Sequence, residues 1–256
     1  MSLADPVLPA SNAPWLVEVG GTLVFVAVAA WLAVRWRRAG HPGTAALLFI
    51  GALTMFWQEF YADWGAYLYY NSDLTLMPWP HTPFTTPNKP WYVIAGYGWF
   101  YAAALPGVLA LFGWLRRRQP RWPYVATLAV TTLIPFYLWN LITADALSFL
   151  TNWYQYVHPI GPAIHTSKGS LPLLYPAFPF VLFAPLVVWS IDNRDTEGRT
   201  WFERLCRART EPTTTGAQIG QIGAWIVGMN LMYAAALTIP VVLIRTLLLP
   251  ESAVVP

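Results

Sequence analysis

The sequence predicts an all-α fold, a polytopic membrane bundle of six transmembrane helices with both termini on the non-cytoplasmic side. Three observations predict it. The chain is 56% hydrophobic and only 11% charged, against about 25% charged residues in an ordinary soluble domain. Several apolar runs reach the roughly 20 residues needed to cross the hydrocarbon core of a bilayer. Of 15 Lys and Arg residues, 12 fall in three short clusters between apolar runs, as expected for loops held at the cytoplasmic face.

The spans are expected in this order. Met1–Pro14 is polar and proline-rich with an acidic start, so the first apolar run, 15–34, is expected to serve as a span and not as a cleaved leader. Arg35, Arg37, Arg38 and His41 follow as a basic turn, punctuated by Pro42 and Gly43. The second span is 44–61. Residues 62–91 form an outer loop with five prolines, Pro78, Pro80, Pro83, Pro87 and Pro90. The third span, 92–115, leads to Arg116, Arg117, Arg118 and Arg121, and the fourth is 124–149. A second outer loop, 150–172, precedes the fifth span, 173–191. The cytoplasmic loop 192–217 carries five arginines, with Trp201, Phe202 and Leu205 expected to turn toward the membrane surface. The last span, 218–249, is long enough to tilt or to protrude. All this makes one integral domain in the cell membrane.

Composition and motifs exclude several function classes. A net charge of +3 does not suggest a nucleic-acid partner. The single Cys206 excludes an intrachain disulfide and a cysteine metal cluster. No phosphate-binding Gly-rich loop or GxSxG nucleophile motif occurs, and Gly96 and Gly98 read as sites of close helix packing. His81, His158 and His165 fall on the outer side, without HxxxH or HxxE spacing. No cofactor is expected and no metal ligand is assigned, with an outer-side metal site left as an alternative because His and carboxylate together can bind zinc or iron.

The residues suited to chemistry lie near the outer ends of spans. Glu59 and Asp63 are four apart and share a helix face. Asp145 lies at a comparable depth on the fourth span, with Asn140 deeper and Asn230 nearer the midplane of the sixth. Acids at membrane depth are costly and face a bundle interior or a cavity. Together they suggest one polar chamber opening outward. There, one carboxylic acid can protonate an oxygen of an apolar substrate, and a second can accept a proton from a hydroxyl or carbon. Abundant Trp and Tyr rings would shape the chamber and face a developing cation. The same acids also fit a water-facing interfacial rim. The asparagines also fit interhelical hydrogen bonding, and the aromatics an interfacial belt.

The run FWQEF at 56–60, YYN at 69–71 and PWYVIAGYGWFY at 90–101 resemble the AveC-like spirocyclase family. These are actinobacterial membrane proteins whose founding member closes and dehydrates a spiroketal in a polyketide pathway. The resemblance covers mainly residues 50–105, with similar hydropathy elsewhere. It implies that the family's acid after WQ corresponds to Glu59, and its Asn after the aromatic pair to Asn71. The family pattern has Asp-Pro after WQ where this chain has Glu59-Phe60. The acid is kept and the proline is not, which puts loop geometry and substrate in question. A looser similarity is to membrane-bound meroterpenoid cyclases, which implies an acid that starts cyclisation of a polyene.

The expected activity is therefore a cofactor-independent cyclase or dehydratase acting on a hydrophobic natural product or lipid. Glu59 is the leading acid, with Asp63 or Asp145 as its partner. Asn71 and Asn140 would orient substrate oxygens, and Asn230, Trp57, Tyr97, Trp99 and His158 complete the expected substrate contacts. The alternatives are a terpene or meroterpenoid cyclase, and a non-enzymatic lipid-binding, transport or partner protein. Internal repeats would favour a transporter, and none is evident.

Overall fold

The computed structural model describes residues 14–79, 82–166 and 169–256, without the side chain of Phe149. His81, Lys168 and the segment before Pro14 lie outside the described residues. The elements are α1 (Pro14–Ala39), α2 (Thr44–Leu53), α3 (Phe56–Gly65), β1 (Leu68–Tyr70), α4 (Tyr92–Arg118), α5 (Tyr124–Ala146), α6 (Leu147–Thr151) and β2 (Tyr154–Tyr156). They continue as β3 (Ala163–Thr166), β4 (Gly169–Pro172), α7 (Ala177–Val181), α8 (Phe183–Asp192), α9 (Trp201–Leu205) and α10 (Thr215–Leu248).

The chain is mostly helical, and α4 sits at its centre, packed against α1, α2, α5 and α8. Among the described residues, α1, α4, α5 and α10 are each long and apolar enough to cross a membrane. The bent pair α2 and α3 makes a fifth candidate, with 57° between its halves. The expected fifth span instead forms α7 and α8, and the apolar stretch Ala177–Asp192 is shorter than a full span. Four to five candidates thus stand where six were expected. Lipid-length helices leave much apolar surface outward, as at Leu23, Val125, Ile142 and Leu247.

The break between α2 and α3 has a local cause. Thr54 Oγ1 donates back to the Gly51 carbonyl at 2.7 Å and accepts from Asn230 Nδ2 at 2.9 Å. A hydroxyl that bonds its own helix, with a polar group inserted from outside, bends the ladder. Met55 and Gln58 then close tight turns onto the Ala52 and Met55 carbonyls. Gln58 fixes the new direction. Its amide donates to Asn230 Oδ1 at 2.9 Å and its oxygen accepts from Thr238 Oγ1 at 3.1 Å.

The described residues of the two expected outer loops include regular structure. Two short antiparallel pairs form, β1 with β2 and β3 with β4, in registers Leu68↔Tyr156 and His165↔Ser170. Residues 85–90 tuck against β1 and α3: Asn88 brackets the backbone of Tyr70, and Thr86 bonds Phe60 and Leu68 backbone groups. Lys89 Nζ donates to the Thr86 carbonyl, and burial lowers its pKa.

On the arginine-rich side, the expected surface helix is corrected. It is the five-residue α9, opened by a Thr200–Glu203 capping box. Phe202 does not face a membrane surface: it is buried against Trp225, with ring centres 5.2 Å apart. The reason is Gly228 on α10, whose missing side chain leaves the space that the Phe202 ring fills.

Candidate functional site

Three carboxyl groups line one cavity of about 120 Å³. Glu59 and Asp63 come from α3, where their i, i+4 spacing puts both on the inner face. Asp145 comes from α5. The last turn of α5, Leu141–Ala146, is wound as a π-helix, and so is Ala234–Thr238 of α10, beside α3. Such extra-residue turns re-aim side chains and recur at functional sites. Here one carries Asp145 and the other follows directly on Tyr233.

Each acid is held by tyrosine hydroxyls. Glu59 Oε2 accepts from Tyr97 and, at 2.9 Å, from Tyr233, and the two hydroxyls also meet each other. Asp63 Oδ2 accepts from Tyr70 at 2.7 Å. Asp145 Oδ1 accepts from Tyr154 and Tyr156, both at 3.0 Å, and its Oδ2 accepts from Asn140 Nδ2 at 2.8 Å. Among the described residues, none of the three forms an ion pair. Burial above all, and then the neighbouring acid, pushes the phenols of Tyr70, Tyr154 and Tyr156 well above their ordinary range. They therefore remain O–H donors.

The rest of the wall is aromatic and small. Tyr92, Trp99, Phe100, Tyr101, Trp153 and Phe180 line it with Gly96 and Ala144. These rings pack mainly edge-on, as Tyr92 does on Trp153 at 5.6 Å. The volume holds several water-sized groups at about 10–15 Å³ per position, which suits a small molecule or part of a longer one.

The sequence-expected residues divide into two groups. Glu59, Asp63, Asp145, Tyr97, Trp99 and Asn140 all lie on the cavity wall. The others are placed elsewhere. Asn71 is buried and ties the ends of β1 and α6, donating to the Asn152 carbonyl at 2.8 Å. Asn230 holds the α2–α3 bend. Trp57 is exposed beside Tyr61, and His158 packs edge-on against Tyr67 at 5.3 Å. Among the described residues, no group of three His, Cys, Asp or Glu side chains is placed to hold a metal ion.

Tyr97 is among the expected contacts, but the other tyrosines around the acids carry no distinct sequence signal of their own, because Tyr is also the ordinary residue of a membrane interface. A usable signal existed. Tyr97 and Tyr101 are four apart on α4, and Tyr154 and Tyr156 are two apart, the strand spacing that turns both to one face.

A family model described as Spirocyclase AveC-like matches residues 36–253. The chain belongs to the AveC-like spirocyclase family. The match takes in every acid and tyrosine of the cavity, far beyond the segment 50–105 that carried the resemblance. No curated protein and no solved structure matches the chain. Membership of this spirocyclase family indicates a cyclase role for the chain.

Proposed function

We propose that this AveC-like protein is a multi-pass cell-membrane enzyme that cyclises and dehydrates a hydrophobic natural product or lipid by carboxyl acid–base chemistry, without a cofactor. The observation that carries this reading is one aromatic-walled cavity with three acids on its wall, each positioned by hydroxyl donors. The chemistry fits ketal closure. A ketone and two hydroxyls of one chain give a spiroketal and one water. Glu59 protonates the departing oxygen as the C–O bond breaks. Asp145 takes the proton of the attacking hydroxyl as the new C–O bond forms. Asp63 keeps a second polar contact beside Glu59. Asn140, already bonded to Asp145, orients a substrate oxygen. Aromatic rings fold the chain so that the reacting atoms meet and face the oxocarbenium carbon.

The test uses the full chain in lipid nanodiscs with an apolar dihydroxyketone, following loss of one water by mass spectrometry. Wild-type protein accelerates closure and fixes one stereoisomer. Glu59→Gln and Asp145→Asn each lower turnover by roughly 10²–10⁴-fold, the range of general acid–base groups, with the thermal transition retained. Full turnover in both variants overturns the proposal.

A further inference from the structure

Asp145 has a second side. Behind it lies a separate chamber of about 10 Å³, lined by Asp145, Ser148, Tyr154, Gln155, Tyr156, Ser170 and Leu171. That is about the volume one water occupies, and the lining is rich in polar groups able to hold it. Asp145, Tyr154 and Tyr156 line both spaces and thus form the partition between the reaction cavity and a one-water chamber.

The chamber has a way out. Ser170 comes from β4, which packs beside β2, and its cross-strand partner on β3 is His165. Ser170 Oγ and His165 Nδ1 are 2.8 Å apart, and His165 is exposed. A buried acid, a water-sized chamber, a hydroxyl and an exposed imidazole therefore lie in sequence. Each of the last three can accept a proton on one side and give one on the other.

We propose that His165 and Ser170, through one water in this chamber, form the proton outlet of Asp145. The inference rests on the acid–base reading above. In that cycle Asp145 ends each turnover holding the proton of the attacking hydroxyl, and Glu59 ends it without one. No net proton is consumed, but both acids must be reset. Asp145 passes its proton to the chamber water, which passes one to Ser170. Ser170 hands its hydroxyl proton to the imidazole, and His165 releases it to solvent. Glu59 regains a proton from water entering the reaction cavity. The titratable groups facing Asp145 are Tyr154 and Tyr156 from β2 and, across the cavity, Glu59 and Asp63 from α3. The two phenols stay protonated and do not take up the Asp145 proton, and the chamber offers it a route that does not cross the reaction cavity.

Two measurements test this. In the first, His165→Ala and Ser170→Ala are compared with wild type in single and repeated turnover of the dihydroxyketone. The first turnover stays near wild type, and later turnovers slow by roughly tenfold or more. Added imidazole restores His165→Ala but not Ser170→Ala, which a merely structural role of the hairpin would not produce. Unchanged repeated turnover, or slowing that imidazole leaves untouched, overturns the outlet while the enzymatic reading stands.

The second measurement needs no substrate. Hydrogen–deuterium exchange of the carboxylic acid band that Asp145→Asn removes is followed by infrared spectroscopy after transfer to D2O at mildly acidic pH. Exchange slows by about tenfold in Ser170→Ala if the outlet operates. Equal exchange rates, or no such band, overturn the outlet. A slowed band in a protein inactive on every dihydroxyketone keeps the outlet and removes the ketal chemistry.

Discussion

Glu59 and Tyr233 are joined by a 2.9 Å hydrogen bond that ties α3 to α10 at the edge of the π-wound turn. Tyr97 reaches the same Glu59 oxygen from α4 and touches the Tyr233 hydroxyl. Three separate segments thus fix one carboxyl oxygen. Removing either hydroxyl leaves the other donor in place, while removing both frees the acid to rotate. Tyr97→Phe and Tyr233→Phe are each expected to lower turnover by no more than about tenfold, and the double variant by more than the product of the two. A double-mutant cycle on kcat checks this, and simple multiplicativity would show that the hydroxyls act independently.

Two glycines distinguish rigid from yielding contacts. A Cβ at Gly228 would lie 2.1 Å from the ring of Phe202, and one at Gly51 would lie 2.4 Å from the sulfur of Met229. The Phe202 ring is locked against Trp225 and cannot rotate away, whereas a methionine side chain adapts. Gly228→Ala should therefore cost about 1–3 kcal/mol, as overpacked cores do, and Gly51→Ala clearly less. Thermal denaturation in one detergent ranks them, and the reverse order would show that Phe202 has room to move.

The bend between α2 and α3 is held by polar side chains that the cavity does not use. Gln58 bonds Asn230 at 2.9 Å and Thr238 at 3.1 Å, and Asn230 bonds Thr54 at 2.9 Å. Gln58→Leu leaves Asn230 and Thr238 each short of a partner in an apolar interior. The expected loss is about 1–2 kcal/mol of stability, with turnover also lowered because Glu59 is the next residue. Thr238→Val removes a single bond and should cost less. Equal melting temperatures for wild type and Gln58→Leu would show that the bend is set by packing alone.

The acids were legible in the sequence because charge at membrane depth is rare, and because the arginine clusters set the depth of each span. Glu59, Asp63 and Asp145 could therefore be placed at one level, and the structure puts them on one cavity wall. Three things were not legible. The strands β1 to β4 are three or four residues long, too short to show a period of two against an aromatic background. The split of the expected fifth span into α7 and α8 leaves no trace in hydropathy, although Pro185, which has no amide to bond the Val181 carbonyl, marks the place. Asn71 reads as a substrate contact through the family resemblance and Asn230 as an amide in an apolar span, and neither signal shows the neighbours they bond here, Asn152 for Asn71 and Gln58 and Thr54 for Asn230.

Glu203 gives a pH signature outside the spanning segments. Burial opposes its ionised form, and four hydrogen bonds favour it: from Gln221 Nε2 at 2.7 Å, the Thr200 amide at 2.8 Å, Thr210 Oγ1 at 2.9 Å and Trp225 Nε1 at 3.3 Å. The bonds outweigh burial, so its pKa lies below the ordinary 4.5. A carboxyl whose folded pKa is depressed adds stability that is fully present above its unfolded pKa. That stability disappears as pH falls through the folded value. The window therefore lies below pH 4.5. In Glu203→Gln the side-chain amide cannot accept all the bonds the carboxylate receives, so the variant is less stable than wild type at neutral pH. The gap between them should then narrow as pH falls below 4.5. Subtracting the two melting curves at each pH cancels the titration of other acids. A gap that stays constant would show that Glu203 acts by shape and not by charge.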